Sequence, residues 1–139
     1  MYSKVSIVVT ALLYVILLPY MEVSDTHVFS SSWPGHARMH DVWQLATNAS
    51  LALLALWQGV HRGKMLLALA IDWLITTAFV FAYAIRGSYG GDMLYTNGEE
   101  LIIWGVNPAF GIMVVMSLVL GAAFVLEYRT AQSEASEIQ

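Results

Sequence analysis

The chain has 139 residues, of which 58% are hydrophobic and 12% charged, with a formal net charge of −4 and no cysteine. An ordinary soluble domain has about 25% charged residues, so this balance points to lipid as the solvent, and the length leaves room for one compact unit only. The missing thiol excludes disulfides, thiolate metal sites and cysteine nucleophiles, and ten acidic residues against six basic ones, with no basic run, argue against nucleic acid as a partner.

Residues 5–21 (VSIVVTALLYVILLPYM) lie between Lys4 and Glu22 without a formal charge. That is about the minimum for crossing a hydrocarbon core ~30 Å thick, and it predicts a first helix over about 5–21. A cleaved signal peptide is the rival reading, but Tyr20-Met21-Glu22 lacks the small-residue cleavage pattern. The second apolar run, Val42 to Val60, ends in His61-Arg62-Gly63-Lys64, a tight connection. Ser32 can cap a helix with Pro34 in its first turn, which extends this helix to about 33–60. A third helix is expected over 65–85, interrupted only by Asp72.

The fourth apolar run, Leu101 to Leu126, predicts a helix over about 99–127, with Asn97 as N-cap and Glu100 as its reciprocal acidic partner. Pro108 cannot donate to the carbonyl of Trp104, so a kink is expected at Asn107-Pro108. Residues 130–139 read as a polar tail. The expected fold is all-α: a polytopic four-transmembrane-helix bundle forming a single domain over 1–139. Lys4, Arg62, Lys64 and Arg129 fall on one side against Arg38 and Arg86 on the other, which places both termini in the cytoplasm by the positive-inside bias.

Potential chemistry concentrates where the second helix begins. His27, His36 and His40 sit close together in sequence with Asp25 and Asp41, and His36 and His40 are four apart on one helical face. Gln44 and Thr47 continue that face at about 100° per residue, with Asn48 at its edge. Polar groups at membrane depth avoid lipid, so the stripe is expected to point into the bundle and to line an outward-opening cavity with the kinked fourth helix. In that geometry His36, His40, Asp72 and Glu100 are the catalytic candidates, and Gln44, Asn48, Trp104 and Asn107 line the substrate site. His27, His36 and His40 are the candidate ligands of a divalent metal, because paired imidazoles bind one ion when a third ligand joins them. Without metal, the same imidazoles can act as general acid and base. Asp72, in mid-helix, costs on the order of 3 kcal/mol if ionised in the membrane, so it is expected to meet either a partner such as Thr10, Tyr14 or Ser50, or a ligand.

The segment Thr26 to Gln44 (THVFSSSWPGHARMHDVWQ) resembles a signature of small four-helix membrane proteins, in which T-H-x-F precedes W-P-x-H-A-R-x-H. The resemblance implies the four-pass layout and carries no activity with it. Sterol isomerase/sigma-2 receptor-like and DoxX-like proteins are similar in architecture alone. The first functional reading is an enzyme acting on a lipid-soluble substrate at a His/carboxylate site in the outer half of the bundle. The alternative is a non-enzymatic accessory subunit of a larger membrane complex, and a proton-linked carrier using Asp72 ranks third. The partners expected are membrane lipid, a hydrophobic small molecule, and a second copy or a larger membrane complex.

Overall fold

The computed structural model describes residues 2–95 and 98–137. Helix α1 spans Tyr2–Glu22 and widens into a π-helical turn at Leu13–Leu17, just before Pro19. Proline has no N–H and its ring crowds the carbonyl four residues back. The wider register, in which the Leu18 N–H reaches the Leu13 carbonyl, accommodates it without breaking the helix. Helix α2 covers Gly35–Leu56 and continues as a second π-helical turn, Trp57–His61. Helix α3 covers Met65–Ala84, and α4 covers Pro108–Glu137.

Contacts fix the arrangement of the four helices. The Ser3 hydroxyl donates to Glu127 Oε2 at 2.8 Å, so the start of α1 and the later part of α4 share one end. Gly59, near the end of α2, lies under the starts of α1 and α3. A Cβ there would come within 2.9 Å of Ile7 Cδ1 and 3.0 Å of Ala68 Cβ. Successive helices therefore run antiparallel. α1 and α3 touch each other and both remaining helices, whereas α2 and α4 occupy opposite corners.

Two apolar clusters fill the interior. Ile7, Ala55, Ala68, Leu69, Leu120 and Ala123 form one, and Leu13, Tyr14, Ala52, Ile75 and Met113 form the other. The exterior is apolar as well, with Val5, Val8, Leu12 and Ile16 of α1, Leu74 and Phe81 of α3, and Val115 and Leu118 of α4 all exposed. Such a surface suits hydrocarbon and not water. Among the described residues α1, α3 and α4 are long and apolar enough to cross a membrane. The chain is a helical membrane protein, and α2, which carries Arg38, Asp41, Gln44 and Asn48, is the most polar of its four long helices.

The fourth helix starts at Pro108 and not near residue 99, and no kink forms at Asn107-Pro108. Proline at the first helical position loses nothing, because that N–H has no helical acceptor in any case. Asn107 Oδ1 accepts from the backbone N–H groups of Ala109 at 3.0 Å and Phe110 at 3.3 Å, which makes it the N-cap. Asn97, expected in that role, lies outside the described residues. Residues 101–106 form a tight hairpin instead: Ile103 and Val106 exchange backbone hydrogen bonds of 2.9 and 3.1 Å across Trp104 (φ 51°) and Gly105 (φ 81°). At its other end α4 runs past residue 127 through the polar segment to Glu137.

Candidate functional site

The inward face of α2 is set by its smallest side chains. Ala52, Ala55 and Gly59 are buried at helical spacing, and stepping back by fours and threes brings Asn48, Leu45 and Asp41, all partly buried, onto the same face. His36, His40, Gln44 and Thr47 lie about one residue, or 100°, around the helix from that face, and all four are exposed. Among the described residues α2 and α4 therefore do not line one cavity as expected, because α1 and α3 stand between them. What lies beside the stripe is a shallow open groove between α2 and the preceding loop, lined by Val28, Phe29, Arg38, Met39, Val42 and Trp43.

His36 and His40 do form a pair. Their Nε2 atoms are 3.0 Å apart, one donating and the other accepting according to tautomer, with ring centroids at 4.5 Å. The separation is close to the ~3.3 Å between two imidazole nitrogens held tetrahedrally about 2.0 Å from one zinc ion. Among the described residues, however, no group of three or more His, Asp or Glu side chains is placed to hold a metal ion, so His27 does not join the pair.

His27 belongs to a separate cluster at the end of α1. Its Nδ1 shares a hydrogen bond of 2.9 Å with the Thr26 hydroxyl, which is 3.0 Å from the Ser24 hydroxyl. Its Nε2 lies 3.4 Å from Glu22 Oε2, and its ring meets the Trp33 ring edge-on at 5.7 Å. Asp41, just before the apolar run of α2, faces the same cluster: burial pushes its carboxyl above the usual range while His27 pulls it back. Asp41 Oδ2 is buried without a hydrogen-bond partner among the described residues. Glu22 went unread as a site residue because in sequence it serves only to end an apolar run. The signal was its distance of five positions from His27 across a helix end, which a turn can close.

Asp72 is fully buried, as are Thr10 and Thr76, and by position it falls between the two apolar clusters. The hydroxyls nearby are engaged elsewhere. Thr76 donates to the Asp72 backbone carbonyl at 2.7 Å, Thr10 to the Ser6 carbonyl at 2.9 Å, and Tyr14 to the Ile75 carbonyl at 3.3 Å. Both carboxyl oxygens of Asp72 are buried without a hydrogen-bond partner among the described residues. The expected bond to Thr10, Tyr14 or Ser50 does not form, and Ser50 is exposed.

The remaining candidates disperse. Glu100 Oε1 accepts from Asn107 Nδ2 at 3.0 Å, which spends both residues on closing the hairpin and starting α4. Trp104 is 99% exposed at the hairpin tip, and Asn48 is partly buried on the inner side of α2. The nine candidates thus fall on the exposed stripe and inner side of α2, an outer polar cluster, a sealed carboxyl and a hairpin, and they do not line one pocket among the described residues. Compared with protein-family models, curated proteins and solved structures, the chain matches none of them.

Proposed function

We propose that the chain is a non-enzymatic subunit of a larger membrane complex, joined to it by the outer face of α2, which supplies a fourth crossing. The observation that carries this reading is the exposure of His36, His40, Gln44 and Thr47 along one side of a helix whose other side packs into the bundle. At 1.5 Å per residue, Gln44 and Thr47 lie about 14 and 18 Å along α2 from Gly35. An amide or hydroxyl facing hydrocarbon at that depth loses its hydrogen bonds at several kcal/mol each, and a polar helix of a partner restores them. The occupant we assign is a transmembrane helix of another subunit that offers carboxylate or amide groups to the imidazole pair. In this reading both termini face the cytoplasm, and the Glu22–His27–Asp41 cluster holds the outer loop against the bundle. Enzymatic turnover at the histidines has less support, since the pair stands exposed on α2 and, among the described residues, no third metal-ligating group joins it.

Because the chain has no cysteine, Gln44→Cys gives a single attachment point for a photoactivated crosslinker in native membranes. The expected result is one identified protein partner, recovered in fixed stoichiometry and lost when His36 and His40 are replaced by leucine. Adducts with lipid alone, or only with a second copy of the chain, overturn the proposal.

A further inference from the structure

We infer that the hairpin of residues 100–107 is an anchor that lies in the interfacial layer of the bilayer, with the Trp104 indole seated at the lipid headgroups. Its composition comes first. Leu101, Ile102, Ile103, Trp104, Gly105 and Val106 carry no charge, and all five side chains larger than glycine are exposed. Their only side-chain hydrogen-bonding group is the indole N–H, on a ring that is apolar elsewhere, which is the combination that favours the membrane–water boundary.

The backbone makes this exposure more telling. Trp104 adopts φ 51°, a left-handed conformation that disfavours any residue with a Cβ by roughly 1–2 kcal/mol and that tight hairpins usually assign to asparagine, aspartate or glycine. The turn thus holds a bulky aromatic at the one position where a small polar residue fits with less strain, and presents it with 99% of its surface free. Burial in an apolar layer offsets that, since a tryptophan can remove roughly 150–250 Å² from water.

Placement supplies the third argument. The hairpin closes through the Glu100–Asn107 hydrogen bond, and Asn107 caps the helix whose membrane span begins at Pro108. The tip is three residues from that cap and so within about 10 Å of the start of the span. The last residue of the returning arm touches the first turn of the helix: a Cβ built on Gly111 would sit 3.6 Å from Val106 Cγ1. An apolar tip held close to the start of a membrane helix lies at the level where lipid headgroups meet the acyl chains. Between Leu101 and Val106 no charged side chain is present to select a polar protein partner.

The test uses the full chain in phosphatidylcholine/phosphatidylglycerol vesicles. With Trp33, Trp43, Trp57 and Trp73 replaced by phenylalanine, Trp104 is the sole indole. Its emission is expected to shift to the blue relative to detergent-free denatured protein, to be quenched by lipids brominated near the headgroup end of the acyl chain, and to resist aqueous iodide. Quenching by iodide without quenching by bromolipid overturns the inference, and so does resistance to both, which means a protein contact. Since the Trp73 indole packs against Gly121 and its loss can disturb the fold, a second variant reads the same position independently. A nitroxide on Trp104→Cys should show a higher ratio of oxygen to water-soluble nickel collisions than a nitroxide on Glu134→Cys in the exposed end of α4. A ratio at position 104 no higher than at position 134 sinks the anchor.

Discussion

Asp72 and Gln44 are both polar residues well inside long helices of one bundle, yet Asp72 has no solvent exposure and Gln44 stands on the outer surface. The contrast follows from their helical neighbours. Asp72 is in register with Ala68, Leu69, Ile75 and Thr76, the face by which α3 meets the other three helices. Gln44 is one residue out of register with Ala52, Ala55 and Gly59, whose small size lets α2 approach Ile7 and Ala68. Polarity at membrane depth says that a side chain avoids lipid. It does not say which face of a helix turns into its own bundle, and the small residues decide that.

The contrast can be broken most sharply where the inner face of α2 is set. Gly59→Leu is expected to destabilise the bundle by about 3 kcal/mol, by overpacking against Ile7 and Ala68. Reversible unfolding in mixed micelles measures it, and a neutral result means that α2 does not dock by this face. Asp72→Val, which removes a carboxyl with no hydrogen-bond partner among the described residues, is expected to stabilise by about 1–3 kcal/mol in the same assay, because an unsatisfied buried polar group opposes folding. Destabilisation would instead reveal a bound water or ligand at Asp72.

Asn107→Ala removes the cap of α4 and is expected to cost about 1 kcal/mol, with the loss of helicity confined to the first turn. Hydrogen exchange at Ala109 and Phe110 checks the location, and unchanged protection there would contradict the capping role. The smallest effect belongs to the outer stripe. Replacing His36 and His40 together by leucine should change the stability of the isolated chain by no more than about 0.5 kcal/mol while abolishing the crosslink from Gln44→Cys to its partner. A large loss of stability in the isolated protein would show that the stripe serves the bundle itself.

Much of the helical layout could be read from composition alone. The uncharged stretch before Glu22, the turn at His61-Arg62-Gly63-Lys64 and the run from Met65 to Ile85 mark their helices to within a few residues of the structure. The fourth helix was legible at its true start too, since asparagine followed by proline is an N-cap and first-turn signal. Apolarity running on through Leu101 to Val106 masked that signal, because hydropathy measures what surrounds a segment and carries no record of backbone conformation. Glu22 beside His27, by contrast, depends on how the loop folds back over α1.

The amino-acid order by itself determined that this chain seeks lipid and where its apolar helices lie, because both follow from local hydrophobicity over about 20 residues. It also determined that Asp72 must be sheltered, since no charge-bearing group is stable in bare hydrocarbon. Only the tertiary structure decided that α1 and α3 separate α2 from α4, and hence that the histidines share no chamber with Asn107. Which face of a helix turns inward depends on how closely neighbouring backbones can approach. That approach is a joint property of Ile7, Gly59 and Ala68, three residues far apart in the chain and adjacent only once it has folded.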